Sequence, residues 1–339
     1  MSLTPFPIAA IDGFYIGHWT NSDAGTGCTA IVCPNGASGG VDIRGGAPAT
    51  RETDLLRPEQ TVNQVHAVML SGGSLFGLEA ASGAAAELER RGIGLDTGIA
   101  RAPIVVAASL FDLAFADSHT RPNAEAGTLA VCDALDQVHT EVLEGNIGAG
   151  TGATVGKLLG PKHVMKAGLG ARAFALDELQ IGAIAAVNAC GNVFDPSTHQ
   201  VLAGVRKHAD STEILDMEEL MLERGTKMSM PLERMARSNT TISCIITNAE
   251  LTKAEATKLA QMAADAYAHC IRPTHTTNDG DAIFVLASGT LGKASAVYPL
   301  DLMGLIATRS LEAALVAGVK CAHTSHGIVG YASLHHSSS

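Results

Sequence analysis

Runs of apolar residues, some alternating and some continuous, are broken by glycine, proline and small polar residues so that strand and helix signals follow one another along the chain. Residues 65–70 read as a strand, Ser71-Gly72-Gly73 as a tight turn, and 75–91 as an Ala- and Glu-rich helix with a charged end. Residues 181–187 and 191–194 read as two strands paired about a short turn. The densely charged stretch 212–237 has its apolar residues at roughly helical spacing, which marks a surface segment. Beyond it, residues 241–248 alternate β-branched and small side chains over a strand's length and stop at Asn248. Thr252-Lys253-Ala254-Glu255 has the form of a capping box and opens a helix reaching to about Cys270. Residues 282–287 form a buried strand, and 295–317 a long apolar helix. No unit of about 20–50 residues repeats, so repeat architectures are excluded. The chain belongs to the α/β class.

Composition fits a compact enzyme better than a binding surface for polyanions. The 339 residues exceed what one simple core usually serves, yet a large layered α/β domain reaches that size, and a single domain over 1–339 is expected. With 46% hydrophobic and 17% charged residues there is ample material for a core and little for disorder. A net charge of −11, with no basic patch, argues against nucleic acid and anionic membranes as partners. The start, Met1 to Pro7, has no basic region, no continuous apolar run and two prolines, so no secretion signal is expected. No uncharged apolar stretch approaches the ~20 residues that span a bilayer. The seven cysteines are odd in number and dispersed, as reduced core thiols are, and a cytoplasmic location is expected.

Candidate chemistry concentrates at Ser238-Asn239-Thr240-Thr241-Ile242-Ser243, where a charged segment meets a core strand. A hydroxyl at the first position of that strand can attack the preceding carbonyl if the backbone at Asn239 is strained. The ester so formed hydrolyses to leave Thr240 with a free α-amine. Such an amine titrates near ~7.7–8.0 and takes the proton from its own hydroxyl, so nucleophile and base reside in one residue. The same residues also suit a plain turn leading into a strand.

The glycine-rich run from Gly148 to Lys157 invites a phosphate-binding reading and fails it. Thr151 stands where a P-loop needs Gly, Leu158 where it needs Ser or Thr, and Ala153 where a dinucleotide fingerprint has its third Gly. A loop that brings Lys157 against other backbone remains. Asn188, after an apolar strand, suits a turn; Asp279 and Asp281, around Gly280, suit a turn cap or a cation, though the remaining EF-hand ligands are missing. Ser74 is placed to cap a helix. His323 and His326 are spaced i, i+3 on a possible helix end, and His335 and His336 lie in a polar tail; with no third ligand, zinc is not expected.

The junction Asn239-Thr240-Thr241-Ile242-Ser243, followed by Arg272-Pro273-Thr274-His275-Thr276-Thr277-Asn278-Asp279-Gly280-Asp281, closely resembles the DmpA-type L-aminopeptidase/D-esterase family, which includes β-aminopeptidases and nylon-oligomer endohydrolases. The likeness runs from about Asp12 to about Tyr331, and Ser71 to Ala80 also resembles a family signature. It implies a layered α-β-β-α sandwich of the DmpA / ornithine acetyltransferase type, self-cleaved into fragments 1–239 and 240–339. It implies that Thr240 attacks an amide or ester carbonyl of a short substrate with a free amino end, without any cofactor. Lys157 matches the family's active-site lysine and Asn188 its oxyanion-hole asparagine. Asp279 and Asp281 match an acidic pair that orients Thr240 and anchors the substrate's amine. That pair, with a Thr nucleophile, is nearer the nylon-oligomer branch, while Phe111 departs from the Tyr of many relatives. A homo-oligomer of processed protomers, a tetramer among the options, is implied. Two alternatives stand beside this reading: an acyltransferase of the ornithine acetyltransferase type, and an uncleaved protein that binds small amines.

Overall fold

The computed structural model describes residues 3–224 and 239–335. Of the charged stretch 212–237, residues 212–224 are described, with a helix over Met217–Arg224; residues 225–237, Ser238 and His336 lie outside the described residues.

Ten strands dominate. Nine run in hydrogen-bonded order Thr4–Phe6, Leu169–Leu176, Leu179–Asn188, Thr240–Thr247, Ala282–Ala287, Thr26–Ile43, Val65–Ser71, Val105–Ser109 and Thr50–Arg51, and Tyr15–Asn21 joins through Thr26–Ile43. The 18-residue strand Thr26–Ile43 is the joint: its first half pairs with Tyr15–Asn21 and Val65–Ser71, its second with Ala282–Ala287, and the register shifts between Val32 and Ala37. The sheet is thereby divided into two halves whose inner faces meet. Ile31, Val68, Leu70 and Val106 from one half share a core with Ile184, Ile242, Cys244, Ile246 and Phe284 from the other.

Strand alternation does the rest. Residues 242, 244 and 246 face that central core, whereas Ile245, with Ile283, Val285, Ala183 and Ala185, faces outward against the helices Lys253–Ala263, Asp265–Cys270 and Leu300–Lys320. On the opposite outer face, Ala67, Met69, Val105 and Ala107 pack on Ala80–Arg90 and Ala124–Asp136. Helix, sheet, sheet and helix follow as four layers. Leu300–Lys320 is long and apolar enough, by length and composition alone, to cross a membrane; here it is a core helix with Met303, Ile306, Leu311 and Leu315 buried against the strands.

Several expected elements differ. Residues 181–187 and 191–194 are not partners: the first lie in Leu179–Asn188, between Leu169–Leu176 and Thr240–Thr247, and Asn192–Phe194 pairs with Val201–Ala203 and Ile271–Arg272. The helix expected from 75 begins with a 3-10 turn, Ser74–Glu79, and Ser74, at φ 56°, makes no capping bond. The capping box at Thr252 forms, but its helix is interrupted at Ala264. The long helix expected from 295 starts at Leu300, because Pro299 disfavours helical backbone at Tyr298 and separates a 3-10 turn, Gly292–Val297, from the helix proper. His323 and His326 lie on no helix.

Candidate active site

Thr240 opens a strand in the middle of the sheet, directly opposite Asn188, the last residue of its antiparallel neighbour. Both Asn239 and Thr240 are buried. Three contacts hold the junction. The Thr241 N–H donates to Asp281 Oδ1 at 2.8 Å, Tyr267 Oη donates to the Thr241 carbonyl at 3.1 Å, and the Gly280 N–H donates to the Asn239 carbonyl at 3.1 Å. The Thr240 hydroxyl donates to that same Asn239 carbonyl, so its oxygen lies beside the peptide bond that precedes it. Gly280 cannot be another residue without moving the site: a Cβ there would sit 2.7 Å from Thr240 Oγ1 and 2.9 Å from the Ala47 carbonyl oxygen.

The glycine-rich run supplies the other side. Gly156, at φ 74°, passes so close to the Gly204–Val205 backbone that no Cβ fits, and the turn delivers Lys157 into the interior. Lys157 Nζ donates to Asn188 Oδ1 at 2.7 Å and to the Asn188 carbonyl at 3.2 Å; the Thr154 N–H also donates to Oδ1, at 3.0 Å. Two donors on Oδ1 fix which way the amide faces. Asn188 Nδ2 then gives one N–H to the Phe111 carbonyl at 3.0 Å.

The charges are unusual because the groups are dry. Burial pulls the Lys157 ammonium down to about 7, against the opposing pull of Cys190, Asp279 and Asp112. Burial, then the neighbouring Asp281, holds the Asp279 carboxyl above its usual range, although the Thr276 N–H donates to Oδ2 at 2.6 Å. Burial also raises Asp112, whose carboxylate accepts from the Gly73 N–H and the Thr26 hydroxyl, each at 2.7 Å. The Cys190 thiol, hydrogen-bonded to Asn239, is pushed up to about 12 by burial.

The residues matched to the family's site, Lys157, Asn188, Asn239, Thr240, Asp279 and Asp281, fall in one connected patch. Lys157 bonds Asn188, Asn188 faces Thr240, Asn239 bridges to Asp279, and Asp281 holds Thr241. Asp281 is a fastening rather than an open anchor: Oδ2 accepts from His275 Nδ1 at 2.9 Å and from the His275 N–H at 3.2 Å. Sequence reasoning missed Tyr267, the Gly280 N–H, His275 and Asp112. Gly280 and His275 carried a signal inside the run 272–281, and Asp112 one beside Phe111; Tyr267 carried none. Among the described residues, no three His, Cys, Asp or Glu side chains are grouped to hold a metal ion.

Comparison with known proteins agrees in kind. The profile of peptidase family S58 matches residues 7–332. An uncharacterized aminopeptidase of Mycobacterium leprae is 36% identical over 349 residues, covering 96% of this chain and 92% of that one. A 6-aminohexanoate-oligomer endohydrolase of Kocuria sp. is 30% identical over 282 residues, covering 81% of this chain and 73% of that one. Among solved structures, a Burkholderia sp. β-aminopeptidase superposes with a TM-score of 0.66 at 20% identity, covering 97% of this chain and 92% of the other. The L-aminopeptidase D-Ala-esterase/amidase of Ochrobactrum anthropi, described as a variant of the Ntn hydrolase fold, does so with a TM-score of 0.66 at 18% identity and the same coverage. The fold is that of the Ntn-hydrolase aminopeptidases.

Proposed function

This chain belongs to peptidase family S58 and is a hydrolase of the aminopeptidase type; from that premise we propose that it matures by cutting itself between Asn239 and Thr240 and then works through the freed Thr240. The supporting observation is the pair of contacts on one carbonyl: the Thr240 hydroxyl and the Gly280 N–H both meet the Asn239 oxygen. In the processing step Thr240 Oγ1 adds to the Asn239 carbonyl carbon, and the Gly280 N–H steadies the negative charge that develops on the oxygen. The C–N bond breaks, the nitrogen takes the hydroxyl's proton, and an ester remains. Water hydrolyses that ester to an Asn239 carboxylate and a Thr240 bearing both hydroxyl and free amine.

Turnover reuses the same groups. The α-amine, titrating near ~7.7–8.0 when unperturbed, removes the hydroxyl proton as Oγ1 attacks the substrate carbonyl and delivers it to the leaving amine. Lys157 and the Asn188 amide, opposite Thr240, stabilise the oxyanion; Asp279 holds the substrate's ammonium. An acyl-enzyme forms and is hydrolysed. Short peptides, amides or esters with a free amino end are the substrates.

The test is intact mass and N-terminal sequencing of the purified protein beside Thr240→Ala. Two species are expected, their masses together exceeding the chain by one water, the smaller beginning Thr-Thr-Ile-Ser. The variant stays whole and inactive. A wild-type chain that stays whole yet hydrolyses aminoacyl amides would overturn the mechanism.

A further inference from the structure

A cavity of about 220 Å³ opens beside Lys157, and its walls are those of a side-chain pocket rather than of a charge-binding site. Phe111, Ala114, Phe115, Pro161, Val164 and Ile328 supply apolar surface. Asp112, Thr154 and Lys157 are the charged or hydroxyl-bearing members among the described residues. The Asp112 carboxylate already accepts from Gly73 and Thr26, and Lys157 donates to Asn188. One wall is stiff: the Phe115 ring meets the edge of His326 with centroids 5.1 Å apart, and Ile328 sits in a turn closed by two hydrogen bonds with Ser325.

Its place relative to the nucleophile follows from Lys157, which both lines the cavity and bonds the residue facing Thr240. The acyl side is indicated by Asn239, the residue joined to Thr240 before cleavage. Its side chain lies against Cys190, whose carbonyl accepts from the Lys157 N–H at 3.1 Å.

We propose that this cavity receives the side chain of the substrate's amino-terminal residue and selects an uncharged apolar group the size of leucine or phenylalanine. The inference rests on the aminopeptidase reading above and specifies its substrate class. Size supports it, since a dry cavity of roughly 150 Å³ already holds benzene. Charge supports it as well. A cationic side chain would lie against Lys157, and an acidic one would give up its water beside a lysine whose neighbours already include Asp112 and Asp279.

The experiment compares leucyl, phenylalanyl, alanyl and lysyl p-nitroanilides on the processed enzyme, with calorimetric binding of leucinol and lysinol as a readout independent of turnover. Leucyl and phenylalanyl substrates should exceed alanyl in kcat/KM by about tenfold or more, the scale of a lost methylene in an apolar pocket, with lysyl below all three. Leucinol should bind more tightly than lysinol. Ala114→Phe, at an exposed rim position, should collapse the leucyl-to-alanyl ratio and weaken leucinol. Ile328→Ala, which widens the pocket, should move preference toward phenylalanyl. Equal rates, a lysyl preference, or a ratio untouched by Ala114→Phe would overturn the proposal. Leucinol binding without any hydrolysis would instead sink the aminopeptidase mechanism and leave the pocket standing.

Discussion

At Gly280, packed against the Thr240 hydroxyl, the structure makes its sharpest demand. Adding one methyl there puts carbon 2.7 Å from Thr240 Oγ1. Gly280→Ala should fold and yet cut itself about a hundredfold more slowly, the cost of displacing a reacting atom by roughly 1 Å. Mass spectrometry over time checks it, and processing at the wild-type rate would mean that Thr240 does not work from this position. Lys166 makes a second demand. It lies fully buried opposite Thr154, its Nζ donating to the carbonyls of Gly150 and Ala153 at 3.0 Å each and to that of Ala167, and it braces the turn that presents Thr154 to Asn188. Burial pulls its ammonium down to about 7. Unfolded, it titrates near ~10.4, so between those values the unfolded chain binds a proton that the folded chain does not, and stability rises with pH. Relative to Lys166→Met, both in the Thr240→Ala background, the parent should gain about 1 kcal/mol per pH unit between about pH 7.5 and 8.5 in urea unfolding. A difference that stays flat would place a charged lysine in the fold. Thr240 and the Asp pair stand in local motifs, and Lys157 and Asn188 were singled out through the family resemblance; the structure brings all five together. Tyr267 was not legible, since a tyrosine inside the short helix Asp265–Cys270 gains meaning only when packing sets its hydroxyl against the strand.

Elements were legible where their signal is local and blurred where a partner or a proline decides. The box at Thr252 is the clear case: Thr252 Oγ1 accepts from the Glu255 N–H, and the Glu255 side chain accepts from the Thr252 N–H at 2.8 Å, as the four letters imply. Thr252→Ala should therefore cost about 1 kcal/mol in chemical unfolding while leaving self-cleavage intact. An unchanged midpoint would mean that packing on the sheet alone holds this helix. The helix from Leu300 was misplaced by several residues because the apolar pattern runs through Tyr298 and Pro299, and backbone sterics stop it there. The false pairing of 181–187 with 191–194 has another cause. Both runs look like strands and a short link joins them, but Gly191 lies against the Arg272–Pro273 backbone so closely that a Cβ would meet the Pro273 carbonyl oxygen at 2.3 Å. The chain leaves the sheet at that point, and no local pattern records it.

For the whole molecule, the class was legible and the continuity was not. Alternating strand and helix signals give α/β, but one strand long enough to serve both halves of the sheet is visible only in the pairing of Thr26–Ile43. That pairing decides what becomes of a cleaved chain. The proposed fragment 240–339 would contribute Thr240–Thr247 and Ala282–Ala287, side by side and parallel. On one flank eight residues of Thr240–Thr247 stay in register with Leu179–Asn188, and on the other six of Ala282–Ala287 stay in register with Thr26–Ile43, both from fragment 1–239. A fragment so cut would be inlaid between strands of the large one, and its helices Lys253–Ala263, Asp265–Cys270 and Leu300–Lys320 cover the outer face of that same region. Releasing it would expose unpaired backbone along both flanks and open two cores at once, which is the cost of unfolding rather than of dissociation. The processed protein should elute as one particle in native gel filtration, its two fragments separating only in denaturant, and a destabilising change in either fragment should lower a single shared unfolding midpoint. Elution of 240–339 by itself in native buffer would mean that its two strands do not occupy the middle of the sheet.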